Sequence, residues 1–186
     1  MKRVMGMVMA AVLSAAILVG CGSASSAGNE IKTIQSRGVL RVGVKEDVPK
    51  FGYKDPATGK IDGFEVDVAR AIANKLLGSP DKIELQAVNA KTRGPALDSD
   101  QLDVVVATFT VTDARKKSWN FSTPYYQDPV GLLVKNGGPA SLKDLNGKTV
   151  GVAQGSTSKA AIQDAAAKAG ITVNFSEFPS YAEVKA

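Results

Sequence analysis

The sequence predicts an α/β fold in two lobes, each built on a parallel sheet covered by helices. Two observations predict it. Short apolar runs, Val39–Val44 and Val104–Ala107 among them, alternate with a segment whose apolar residues recur every fourth position, Phe64–Leu77. The same order then starts afresh beyond Asp128-Pro129, with Thr149–Val152 followed by the alanine-rich stretch Ser158–Lys168. Sheets of this kind gather ligand groups beyond the carboxyl ends of their strands.

The elements follow in order. Lys2 and Arg3 precede an almost unbroken apolar run, Val4–Val19, and the tetrapeptide Leu18-Val19-Gly20-Cys21. This run falls short of the roughly 20 residues of a spanning helix and has the form of a secretion signal over residues 1–20. Cys21, the sole cysteine, is expected to become a lipidated N-terminus, with residues 21–30 as a tether, flexible through Gly22–Gly28. The first lobe is assigned to residues 31–128. Val39–Val44 is its first strand, and Lys45–Lys60, with Pro49, Gly52, Pro56 and Gly59, reads as a loop. Phe64, Val68, Ile72 and Leu76 form the apolar face of a helix that Gly78 ends and Pro80 prevents from continuing. Ile83, Leu85 and Ala87 alternate with Glu84 and Gln86 as a second strand; a short helix near Pro95–Leu97 leads to the Val104 strand. The second lobe, residues 129–186, begins with the apolar run Val130–Val134. It continues through a helical turn at Ser141–Leu145, a strand at Thr149–Val152, a loop at Gln154–Thr157, a helix at Ser158–Lys168 and a strand at Ile171–Phe175. Ser180 and Glu183 form a capping box that opens a helix just before Ala186, so the second lobe is expected to be incomplete.

Composition narrows the chemistry. Histidine is absent and the one cysteine is taken by the lipidation motif, so Ser-His-Asp and Cys-His catalysis and the usual zinc or copper sites are excluded. Gly147-Lys148-Thr149 is not a phosphate loop, because Leu142 stands where the leading glycine belongs and the triplet precedes a strand. The formal charge is +5; without Lys2 and Arg3, 21 basic residues face 18 acidic ones and the mature chain carries +3. The basic residues are dispersed, which excludes nucleic acid and suits a small anion. No cofactor or metal is expected, and the protein is not expected to be an enzyme. Glu65 and Asp67 are the obvious acids, and the dipole at the start of the Phe64 helix accounts for both.

The stretch Asp103–Tyr126 carries the binding chemistry. Its apolar strand opens into Thr108, Thr110 and Thr112, and Arg115 follows. A carboxylate leaving water needs several directed donors, which a guanidinium and nearby hydroxyl and backbone N–H groups supply. The alternative is that Arg115, Lys116 and Lys117 form a solvated helix face.

The run Val-Ala-Thr-Phe-Thr-Val-Thr-x-x-Arg over residues 106–115, followed by Asn120-Phe121-Ser122-Thr123-Pro124-Tyr125-Tyr126, resembles the family 3 solute-binding proteins, the polar amino-acid receptors of ABC importers. The likeness begins at Gly38–Val44, continues through Gly63–Ala69 and Gly155-Ser156-Thr157, and covers nearly the whole mature chain. Within that group it looks most like the aspartate and glutamate receptors. The resemblance implies a periplasmic-binding-protein-like type II fold that closes on its ligand, docks on a membrane permease, works as a monomer, and is held at the cell envelope by the lipid on Cys21. It implies that Arg115 grips the ligand α-carboxylate with help from the Thr110 hydroxyl, and that the Thr108 carbonyl faces the ammonium group. Ser156 and Thr157 would close from the second lobe, where a helix start favours an anion, although they could simply cap that helix. An aspartate beyond Ala186 would hold the ammonium group. Lys45 and Arg93, both following strands, would receive the side-chain carboxylate, unless they are surface charges. Phe51, Tyr53 and Tyr181 would wall the pocket, and Val48 stands where many relatives carry an aromatic ring. The alternatives are a receptor for another polar amino acid such as glutamine, and a dehydratase-like enzyme on the same fold.

Overall fold

The computed structural model describes residues 26–186; the signal segment, Cys21 and the start of the tether lie outside the described residues. The expected tether, residues 21–30, overlaps α1, which spans Ser26–Arg37. The helix has a reason to form there. Ile34 is buried in the first lobe's core, and the Gln35 side chain donates to the Leu76 carbonyl at 3.3 Å.

β1 (Leu40–Val44) leads into β2 (Asp47–Val48), β3 (Gly52–Lys54), β4 (Ile61–Asp62) and α2 (Phe64–Leu77), followed by β5 (Ile83–Ala87), α3 (Arg93–Asp98), β6 (Val104–Val106) and α4 (Asp113–Lys116). β5, β1 and β6 form a parallel sheet in that order, with Val42 beside both Leu85 and Val104. Leu40, Val42, Val44 and Val106 pack on Val66, Ala69 and Ala73 of α2. A second cluster of Val88, Ala96, Leu102 and Ala107 packs together beneath α3. α2 ends as expected, at Gly78 with φ 75°, whose N–H donates to the Asn74 carbonyl.

The segment read as a loop, Lys45–Lys60, is instead largely an antiparallel ribbon, β2-β3-β4. Strands of two and three residues are too short to show an alternating pattern. Gly52 is required there, because any Cβ would collide with the Lys45 carbonyl.

The second lobe contains a 3₁₀ turn (Leu142–Leu145), β7 (Thr149–Ala153), α5 (Ser158–Ala169), β8 (Asn174–Phe178) and α6 (Tyr181–Lys185). β7 and β8 pair in parallel. β8 lies three residues downstream of the predicted strand. The intervening amides are already engaged: Ile171 N–H bonds the Ala166 carbonyl at the helix end, and Thr172 N–H bonds Asn146 Oδ1, so the ladder starts only at Asn174. The Val130–Val134 run forms neither strand nor helix, and Leu133 is 82% exposed. Among the described residues no helix is long and apolar enough to cross a membrane.

Candidate ligand-binding cleft

β6 delivers the chain to the cleft in a constrained form. Ala107 is buried, and Thr108 has φ 47°, the left-handed region that a β-branched residue rarely occupies. Arg93, the first residue of α3, is 3% exposed and clamps this turn, donating from Nη1 to the Ala107 carbonyl at 2.6 Å and the Thr108 carbonyl at 3.1 Å. Its Nε is buried with no partner.

Arg115 rises from α4, whose N-cap Thr112 accepts the Arg115 N–H at 3.2 Å. Its Nη1 donates to the Thr110 carbonyl and its Nη2 to the Gly155 carbonyl, both at 2.8 Å. The two arginines converge. Their guanidinium carbons lie 4.0 Å (Arg93) and 4.7 Å (Arg115) from the centre of the Phe109 ring, which is itself packed on Trp119 and Phe121. Burial, and then the neighbouring Arg115 charge, depress the Arg93 pKa to about 10; burial likewise lowers that of Arg115. Among the described residues neither guanidinium forms an ion pair with a carboxylate. The hydrogen bonds they do make all go to backbone carbonyls.

The second lobe meets this surface with backbone. Gly155 has φ 74° and lies so close to the other lobe that a Cβ would come within 2.6 Å of the Ala90 carbonyl oxygen. Thr157 Oγ1 and Thr110 Oγ1 are 3.4 Å apart across the cleft, and Ser156 Oγ is buried without a partner. Thr157 occupies the N-cap of α5, yet its side chain makes no capping bond, so capping does not account for it.

Two assignments require correction. Lys45 is neither a free second cation nor a surface charge: it is 2% exposed, and its Nζ sits 2.8 Å from Asp47 Oδ1 and 5.1 Å from the Tyr181 ring centre. Asp47 Oδ1 makes no hydrogen bond of good alignment, so the contact with Lys45 is ionic; Asp47 Oδ2 accepts the Tyr181 N–H across the lobes at 3.0 Å. A lysine already ion-paired with an aspartate has little to offer a carboxylate. The Thr108 carbonyl, expected to face an ammonium group, accepts Arg93 instead. Of the proposed wall residues, Tyr181 lies at the cleft. Phe51 packs on Tyr126 and Phe64, and Tyr53 sits on the exposed ribbon.

Sequence reasoning missed Glu65. It credited the residue to the helix dipole, whereas Glu65 is 0% exposed and accepts bonds from the Thr108 N–H and the Tyr125 hydroxyl. A signal existed: Glu65, Ala69 and Ala73 recur every fourth residue and are the buried face of α2, while Phe64 on the predicted face is 41% exposed. Two shallow depressions, one beside Ile61 and Arg70 and one beside Ala166 and Phe175, lie apart from these residues. No group of three or more metal-ligating side chains occurs among the described residues.

Comparison with known proteins shows the family; relatives it finds are named for glutamine and L-cysteine rather than for aspartate or glutamate. Residues 40–172 match the family model of bacterial extracellular solute-binding proteins, family 3. The chain is 42% identical over 190 residues to the glutamine-binding protein of Geobacillus stearothermophilus, covering 93% of this chain and 71% of that protein. It is 35% identical over 193 residues to the ABC transporter glutamine-binding protein GlnH of Bacillus subtilis, covering 98% and 69%. Its fold superposes on the solute receptor for L-cysteine of Neisseria gonorrhoeae with a TM-score of 0.76 at 32% identity, over 83% of this chain and 61% of that one. The lobed α/β architecture is therefore the type II fold of periplasmic binding proteins. The chain belongs to the bacterial extracellular solute-binding proteins of family 3.

Proposed function

We propose that this protein is the substrate-binding component of an ABC importer, which holds an amino acid between its lobes and passes it to a membrane permease. Arg115 is its α-carboxylate receptor, assisted by Thr110, Ser156 and Thr157. One observation carries the reading of the side chain: two guanidiniums stack on the single ring of Phe109, one of them almost fully buried, and neither has a carboxylate partner among the described residues. Two desolvated cations in one place favour a ligand with two carboxylates, aspartate or glutamate. Arg93 then faces the side-chain carboxylate, with Lys45 withdrawn from that role by Asp47.

Glutamine is the second reading, supported by the names of the two curated relatives. An amide would leave the Arg93 and Arg115 pair with more positive charge than Glu65, the one carboxylate behind them, offsets, which is why the acidic ligand is preferred here. Titration calorimetry with aspartate, glutamate, glutamine and arginine separates the readings. Tighter binding of either acidic ligand than of glutamine is the expected result; the reverse order assigns glutamine, and no binding of any of the four rejects the receptor.

A non-enzymatic role is supported by the state of the two acids on α2. Glu65 is enclosed, and Asp67 is ion-paired with Arg70 at 3.0 Å. Export and a lipid on Cys21 belong to the same proposal: Cys21→Ser is expected to release the protein from the membrane fraction.

A further inference from the structure

Glu65 is the buried charge that ligand capture as described does not use. It is the second residue of α2, and the two bonds to its Oε1 come from distant parts of the chain: the Thr108 N–H at 2.5 Å and the Tyr125 hydroxyl at 2.6 Å. Oε2 is buried without a partner. A fully desolvated carboxylate persists only where hydrogen bonds and nearby positive charge compensate it.

Thr108 is held on both sides. Glu65 takes its N–H and Arg93 its carbonyl, which fixes the left-handed turn that the residue alone would not choose. Phe109, Thr110 and Arg115, the groups that form the first lobe's side of the cleft, all follow from this turn. Tyr125 lies on the segment that leaves the first lobe. Burial first, and then the bond to Glu65, push its hydroxyl well above the ordinary tyrosine range, so it remains a donor. The Glu65 carboxylate also opposes the destabilisation of the Arg93 cation that burial and Arg115 cause.

We propose that Glu65 is a positioning residue of the ligand site, joining the Tyr125 hydroxyl of the departing segment to the Thr108 amide of the binding turn and placing a counter-charge behind Arg93. The inference rests on the reading of the cleft as an amino-acid site. It has a geometric and an electrostatic consequence. The turn that aims Thr110 and Arg115 is set by α2, and one carboxylate behind two guanidiniums leaves one net positive charge, which attracts a second ligand carboxylate less than two unopposed cations would.

The test uses the full-length protein and three variants. Tyr125→Phe removes one bond and keeps the charge; Glu65→Gln keeps the shape and removes the charge; Glu65→Asp keeps the charge but cannot reach both partners. Thr108 amide exchange without ligand, affinities for glutamate and glutamine, and melting temperature are measured for each. Tyr125→Phe and Glu65→Asp are expected to speed Thr108 exchange and to weaken both ligands by about tenfold, with their ratio unchanged. Glu65→Gln is expected to raise the glutamate-to-glutamine affinity ratio by about tenfold, because it deletes the charge that repels a second carboxylate. Thr108 exchange and both affinities within twofold of wild type in all three variants, whatever the melting temperature does, would overturn the proposal and leave Glu65 a structural carboxylate. If wild-type protein binds neither amino acid, the receptor reading fails separately, and Thr108 exchange in Tyr125→Phe still decides the clamp.

Discussion

The two lobes build their sides of the cleft from different materials. The first uses charged side chains held rigid by burial: Arg93 at 3% exposure, Glu65 at 0%, and Arg115 braced on Thr110 and Phe109. The second offers mostly backbone and small side chains, namely the Gly155 carbonyl, Ser156, Thr157 and the Tyr181 amide. Pre-ordered donors bind without a large ordering cost, so on the proposed reading the first lobe should set which ligand is chosen. Backbone at the facing edge senses only how near the lobes approach. Substitutions in the first lobe should therefore alter ligand choice, and those in the second should alter closure.

The largest expected effect tests the first half of that contrast. Arg115→Lys retains the charge and loses the planar fork, and it should weaken binding about a hundredfold, roughly 3 kcal/mol, by calorimetry. Arg93→Met follows. It leaves the Ala107 and Thr108 carbonyls without their donor, and about 2 kcal/mol of stability should be lost in denaturant unfolding. The same variant should erase any preference for acidic over amide ligands. A uniform loss for all ligands would instead show that Arg93 shapes the turn without reading the side chain.

Gly155→Ala tests the second half. A side chain there is strained at φ 74° and would press on the Ala90 carbonyl of the opposite lobe. Binding of every ligand should fall by about tenfold at an unchanged order of preference, and the left-handed strain should lower stability by about 1 kcal/mol besides. A changed order of preference would mean that the second lobe reads the side chain too.

What the sequence revealed divides along similar physical lines. Strands β1, β5 and β6 and helices α2 and α5 were legible, because apolar runs, the alternation in β5, the four-residue recurrence and terminal glycine of α2 and the alanine-rich stretch of α5 are local signals. Arg115 was singled out from its motif and Arg93 from its place after a strand, and both guanidiniums lie on the Phe109 ring. The ribbon β2-β3-β4 was not legible, since it is specified by the close approach of Gly52 to the Lys45 carbonyl rather than by any pattern. The fate of Lys45 was hidden for a related reason. Whether a lysine faces a ligand or an aspartate two residues away depends on how the chain bends between them, and only the fold fixes that bend. Glu65 was misread because a carboxylate in a first helical turn has a ready local explanation, which conceals a long-range one.

The smallest expected effect on binding belongs to a first-lobe charge cluster remote from the cleft, and it shows where the lobe's rigidity is anchored. Asp103 accepts Arg41 Nη2 and the Arg41 backbone N–H, both at 2.8 Å, and is ion-paired with Arg37 of α1. Burial by itself would raise its pKa, but the Arg41 bonds, with Arg37 behind them, outweigh burial and hold the carboxyl below the ordinary aspartate range. A carboxyl whose folded pKa is depressed stabilises the fold above its unfolded pKa, near about 4, and loses that contribution as pH falls through the folded value. Melting temperature should therefore drop through this acid window in the wild type. Asp103→Asn should flatten that acid limb while lowering stability at neutral pH by about 1–2 kcal/mol, with ligand affinity unchanged. An affinity loss in this variant would tie the α1 anchor to the cleft and end the separation between the charges that hold the first lobe together and those that read the ligand.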